Sequence, residues 1–154
     1  MKQPPTDSPP SACSSMQGTY VLGIGTDIVA VERVEAMLSK HEEAFWQRVF
    51  TAREREYCEQ HKQRGERMAG RWAAKEAILK ALGTGWALGI GWADVEVCNL
   101  PGGQPRVYLH RRAREIADQR GIGEVLISIS HCRTYAVAFA MALGATKEMK
   151  DARP

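Results

Sequence analysis

The sequence predicts an α+β fold in which a small antiparallel sheet is packed by helices. Three observations predict it. A helix-period segment, Arg71–Ala81, is built from Ala, Leu, Lys, Glu and Arg and stops at Gly83 and Gly85. Two pairs of strand-like runs are each joined by a short turn, which reads as two hairpins. The elements follow the order strand, helices, central helix, hairpin, helix, hairpin.

The first strand is expected over Thr19–Ile24, running into Gly25-Thr26-Asp27-Ile28, with Asp27 at its end. Glycines there let the backbone turn or approach another group closely. Val31, Val34, Met37 and Leu38 recur at helical spacing over 30–39, and a second short helix is expected over Glu42–Arg48. Thr51 with Glu54 three residues on forms a capping box for a helix reaching Gln60. Arg53, Glu54, Arg55 and Glu56 are expected to form its solvated face. Lys62-Gln63-Arg64-Gly65 reads as a basic loop. In the central helix Met68, Trp72, Leu79 and Leu82 fall on one apolar stripe. Lys75 lies inside that stripe and needs a partner or a job, because a lone buried charge is costly. The Gly83–Gly91 loop has neither the Walker A ending nor the dinucleotide spacing. Strands are expected at Val95–Cys98 and Arg106–Leu109 around Pro101-Gly102-Gly103, a helix at His110–Arg120, and a second hairpin at Val125–Ser130 and Tyr135–Met141.

At 154 residues the chain reads as one domain over 18–144, after a Pro- and Ser-rich extension over 1–17 expected to be disordered and before a frayed tail over 145–154. The net charge of +3 favours an anionic partner without naming one. No dense basic patch points to nucleic acid. No 18-residue apolar run points to a membrane span. Cys13, Cys58, Cys98 and Cys132 show neither C-x-x-C nor zinc spacing, which favours a reducing cytoplasm.

Three polar sites carry possible chemistry. Asp27 suits a helix N-cap or a ligand at a strand end. Glu76 and Lys80 have ordinary i, i+4 salt-bridge spacing, or form a site. His131 ends a strand at a turn, a common structural position. If they converge, two carboxylates without His or Cys ligands suit Mg²⁺, and a nearby Lys favours phosphate chemistry.

The runs Gly23-Ile24-Gly25-Thr26-Asp27-Ile28, Phe50-Thr51, Gly70-Arg71-Trp72-Ala73-Ala74-Lys75-Glu76-Ala77, Lys80-Ala81-Leu82-Gly83-Thr84-Gly85 and Ile129-Ser130-His131 resemble holo-[acyl-carrier-protein] synthase, the small bacterial type of 4′-phosphopantetheinyl transferase, over about residues 19–143. Each motif alone is weak; together, in this order, they are specific. The resemblance implies that fold and the transfer of 4′-phosphopantetheine from coenzyme A to a serine of apo-acyl carrier protein, leaving adenosine 3′,5′-bisphosphate. It implies Mg²⁺ on Asp27 and Glu76, and catalytic roles for Glu76, Lys80 and His131. Arg71, Lys80, Gly83, His131, Lys62 and Arg64 would bind the coenzyme. It further implies a homotrimer with sites between subunits and a place in fatty acid biosynthesis. The region after the first helix, His41-Glu42-Glu43-Ala44, departs from the basic docking surface of relatives and leaves Arg33 and Arg48 as its basic candidates. Two rivals remain: a non-catalytic module binding an anionic nucleotide or carrier protein, and a structural trimer in which Glu76–Lys80 is only a salt bridge.

Overall fold

The computed structural model of the chain describes residues 20–144, so the expected extension over 1–17 and tail over 145–154 lie outside the described residues. Its elements are β1 (Val21–Ala30), α1 (Val31–Val49), α2 (Ala52–Glu59), α3 (Arg64–Ala81), a 3₁₀ turn at Trp92–Asp94, β2 (Val95–Asn99), β3 (Pro105–Leu109), α4 (Arg111–Gln119), β4 (Ile122–His131) and β5 (Tyr135–Gly144). The α+β class holds, but the strands make two sheets. β1, β5 and β4 form one antiparallel sheet in that order, and among the described residues β2 pairs only with β3. Both expected hairpins are present.

The first strand is longer than expected. Pairing with β5 continues to Ala30↔Tyr135, so Asp27 lies within β1 and not at its end. Ala30 is the N-cap residue of α1. The two short helices expected next join end to end as α1, with a break in helical geometry at His41 (φ −147°, ψ 41°). The capping box at Thr51 forms as expected: the Thr51 hydroxyl accepts from Glu54 N at 3.3 Å, and Thr51 N donates to Glu54 at 2.8 Å.

The central helix begins at Arg64, taking in the end of the expected basic loop. Gly65 is a poor helix former, and it sits buried beside the Glu35 side chain of α1. α3 lies across the middle strand of the sheet. β5 offers it Ala136, Ala138, Ala140 and Ala142, all buried on one face. On β1 the approach is closer still. A Cβ on Gly25 would lie 2.0 Å from the Ala77 carbonyl oxygen, and one on Gly23 2.1 Å from that of Ala81. Those glycines are there for helix-to-strand contact.

The opposite side of α3 holds the buried charge. Lys75 is fully buried and its Nζ meets Glu54 Oε2 at 2.8 Å. It also donates to the carbonyls of Trp92, at 3.0 Å, and Val95, so all three ammonium hydrogens have acceptors. Burial pulls the Lys75 pKa down, and the Glu54 charge opposes that pull. Glu54 therefore does not belong to a solvated face. It is fully buried and accepts also from Val97 N at 2.9 Å. The alternation that gives helix α2 its polar surface carries no sign of this, because the partner comes from α3.

Candidate functional site

Because α3 crosses the sheet along β5, it leaves polar residues on two sides. Along β1, Gly25, Asp27 and Val29 face the helix while Ile24, Thr26 and Ile28 face away. Asp27 thus meets the last turn of α3. Lys80 Nζ donates to Asp27 Oδ1 at 2.9 Å and to the Thr26 carbonyl at 2.8 Å. Glu76 stands one turn earlier on the helix and accepts from the Trp86 indole N–H at 2.9 Å. The Trp86 ring rests on Trp92, with centroids 3.5 Å apart. The structure therefore joins Asp27 to Lys80, and it holds Glu76 one turn earlier on α3 against Trp86. Sequence reasoning missed Trp86, ten residues beyond Glu76 in a loop without periodicity.

Along β4, Val125, Ile127, Ile129 and His131 face the helix. Arg71 is 4% exposed, lies over the Tyr57 ring at 3.8 Å and donates to Asn99 Oδ1 at 2.7 Å. Arg67 Nη1 is 2.9 Å from His131 Nε2, and Glu66 Oε2 is 3.1 Å from His131 Nδ1. Arg67, Gly70, Arg71 and His131 line a cavity of about 160 Å³ with Tyr57 and Asn99. Neither Glu66 nor Arg67 was singled out from the sequence. The available signal was Arg67 and Arg71 at i, i+4, a like-charged pair that is unfavourable without compensation.

The other expected residues are placed as follows. Lys62 is exposed and lines a neighbouring cavity of about 440 Å³ with Glu35, Glu66 and Arg133. Arg64 pairs with Glu42 at 2.9 Å. Gly83 follows α3 in the left-handed region (φ 71°), and its N–H closes the helix on Lys80 O at 2.9 Å. A Cβ there would stand 2.7 Å from Arg120 Nη1, so the glycine has a structural reason independent of any ligand.

Among the described residues, no three His, Cys, Asp or Glu side chains group as a metal set. The donors still fit Mg²⁺, which takes one or two carboxylates and completes its shell with water and substrate phosphate. The Lys80 and Trp86 hydrogen bonds engage one oxygen each of Asp27 and Glu76.

A family model described as the 4′-phosphopantetheinyl transferase superfamily matches residues 23–140. The chain is 52% identical over 118 residues to a holo-[acyl-carrier-protein] synthase of Vibrio atlanticus, covering 77% of this chain and 94% of that one. Among solved structures it resembles the Plasmodium yoelii acyl carrier protein synthase with ADP bound, at 33% identity and a TM-score of 0.74, covering 84% of this chain and 99% of that one. It also resembles the holo-(acyl-carrier-protein) synthase of Bacillus anthracis in complex with CoA (3′,5′-ADP), at 34% identity and a TM-score of 0.67, covering 81% and 98%. Likeness of sequence and of fold thus extend together over the strands and central helix that carry Asp27, Glu76, Lys80 and His131, and the chain belongs to the 4′-phosphopantetheinyl transferase superfamily and, within it, to the holo-[acyl-carrier-protein] synthases, which transfer 4′-phosphopantetheine from coenzyme A to a serine of apo-acyl carrier protein.

Proposed function

We propose that this chain carries out that transfer with Mg²⁺ on Asp27 and Glu76, with Lys80 at the reacting phosphate and with Arg71 and His131 at the adenosine end of coenzyme A. The carrying observation is the contact of Lys80 with Asp27 where α3 ends against β1, with Glu76 one turn earlier on the same helix. In the reaction a serine oxygen forms a new P–O bond to the phosphopantetheine phosphorus. The P–O bond to adenosine 3′,5′-bisphosphate breaks. Mg²⁺, when bound, would neutralise negative charge on the pyrophosphate. Lys80, half-exposed and held by Asp27, offers a positive charge toward the departing phosphate. A serine hydroxyl is a weak nucleophile and needs an acceptor for its proton, a role this reading gives to Glu76, one turn before Lys80 on α3. Gly83 at the end of α3, and Lys62 and Arg64 at its start, extend the coenzyme surface in this reading.

The protein acts as a homotrimer in the cytoplasm. Arg71 and Glu76 are five residues apart on α3, about 140° around the helix. One coenzyme reaching both groups is better served where two copies meet. Supporting this, the sheet face turned away from α3 exposes Ile24, Ile28, Leu126, Tyr135, Val137 and Phe139. A contiguous apolar face of this kind marks an interaction surface. No helix among the described residues is long and apolar enough to cross a membrane.

The test is to incubate the full chain with coenzyme A, Mg²⁺ and apo-acyl carrier protein, and then weigh the carrier. A mass gain equal to one phosphopantetheine that vanishes with chelator supports the reading. Gain undiminished by chelator removes the metal from it.

A further inference from the structure

Glu76 and Lys80 stand four residues apart on α3 with the acid nearer the N-terminus, the order that favours an ion pair along a helix. That pair is not the one made. Lys80 Nζ donates to Asp27 Oδ1 and to the Thr26 carbonyl, while Glu76 Oε2 accepts from the Trp86 indole N–H at 2.9 Å. An indole N–H only donates and carries no charge, so it orients a carboxylate without neutralising it. Trp86 is itself held in place. It is 41% exposed, yet its ring rests on Trp92, and Trp92 meets Trp72 of α3 edge-on with centroids 5.7 Å apart. The loop that carries it is pinned on both sides. Thr84 N and Gly85 N donate to Leu79 O at 3.1 and 3.3 Å, and Arg112 Nε of α4 donates to Leu88 O at 3.0 Å. Leu88 has left-handed backbone (φ 62°), a conformation that a leucine keeps only where its surroundings impose it.

We infer that Trp86 is a positioning residue for the transfer: its indole N–H keeps Glu76 off Lys80 and holds that carboxylate ready for Mg²⁺. The inference rests on the reading above, in which Glu76 is a metal ligand. A hydrogen bond to a ligating carboxylate fixes its orientation, and losing one typically lowers metal affinity or activity about ten- to a hundredfold. The bond engages Oε2 alone and leaves the second oxygen of Glu76 for the metal. Without the indole, Glu76 closes on Lys80 by the ordinary i, i+4 attraction. The metal then loses a donor, and Lys80 loses charge that it would otherwise offer the departing phosphate.

The experiment compares wild type, Trp86→Phe, Glu76→Gln and the double variant. Phenylalanine keeps an aromatic ring on Trp92 and removes the N–H. Mn²⁺ affinity is read by electron paramagnetic resonance with coenzyme A present and no carrier protein, and metal-free coenzyme A binding by calorimetry. Thermal melting confirms that each variant is folded. Trp86→Phe is expected to weaken Mn²⁺ by about tenfold or more, with metal-free coenzyme A binding little changed. In the Glu76→Gln background the same substitution should cost little further, since the ligand it positions is already gone. A Trp86 that only packs the loop would cost as much in both backgrounds. That result, or wild-type Mn²⁺ affinity in Trp86→Phe, overturns the role of Trp86 while Glu76→Gln still shows lost Mn²⁺ binding. If Glu76→Gln binds Mn²⁺ as wild type does, the metal-site reading itself is wrong and the inference falls with it.

Discussion

Asp27 and Glu76 are small commitments of sequence that carry most of the proposed chemistry. Asp27→Asn and Glu76→Gln keep shape and hydrogen bonding while removing charge. Each is expected to lower transfer about a thousandfold, the scale of several kcal/mol of lost charge stabilisation, with the melting temperature little changed. Near-normal turnover of both at saturating Mg²⁺ would remove the metal assignment. A second residue-level expectation concerns acid stability. Glu96 is 4% exposed and accepts from the Thr51 hydroxyl at 2.7 Å, with Arg53 and His110 beside it. Burial pushes its carboxyl up, but Thr51, His110 and Arg53 together outweigh burial and hold it below the usual carboxylate range. A carboxyl lowered in the folded state stabilises above its unfolded pKa of about 4.3, and that stability is lost as pH falls through the folded value. The melting-temperature gap between wild type and Glu96→Gln should be largest near neutrality and close below that range. A gap that widens in acid would reverse the sign.

At the scale of elements, α3 is stapled to the rest by a buried charge on one side and by missing side chains on the other. Lys75 and Glu54 join α3 to α2, and Glu54 in turn receives the β2 backbone at Val97. Removing one member leaves the other charged and buried, which costs about 3–5 kcal/mol. Lys75→Met should therefore destabilise strongly in urea melts. Adding Glu54→Gln should recover part of the loss, because it removes the unpaired buried charge, although its single amide oxygen can accept from only one of Thr51 N and Val97 N. If the double variant is as unstable as the single one, the cost lies in packing around residue 75. Chemical accessibility follows the same packing. Cys58 beneath α3 is fully buried, and that burial pushes its thiol up to about 12, whereas exposed Cys132 is held lower by backbone hydrogen bonds at Thr134 and Tyr135.

For the whole molecule, assembly and docking remain the decisive properties. Phe139 sits on β5, the middle strand, on the apolar outer face of the sheet. Phe139→Glu should dissociate the proposed homotrimer in sedimentation equilibrium, and activity should fall with it. A monomer retaining full activity would end the shared-site reading. Docking should fall to α1, where Arg33 and Arg48 are exposed and Arg33 lies over the Trp72 ring at 4.9 Å. Arg33→Glu should raise KM for the acidic carrier protein far more than for coenzyme A. Salt should shrink that defect, since screening removes the wild type's advantage. Equal loss toward both substrates would make Arg33 a support of the Trp72 packing instead.

Local chemistry in the sequence determined what depends on near neighbours along the chain. The Thr51 capping box, the two hairpin turns, the apolar stripe of α3 and the need of Lys75 for a partner all rest on contacts or periods within a few residues, and they were legible. So were Asp27, Glu76 and Lys80 as candidates, through motif order and not through any demonstrated proximity. Tertiary structure alone decided what depends on distant pairing. β1 joins β5 across more than a hundred residues, which carries the strand past Asp27 and makes two sheets where one was expected. Glu54 becomes the buried partner of Lys75 because α2 is folded back on α3, although its own helix reads as solvated. Glu66 and Arg67 reach His131, some 64 residues away, only because α3 lies along β4. The reason is common to all three: side-chain periodicity says which face of an element is apolar, but the identity of the group that meets a buried charge is set by which element that face is laid upon.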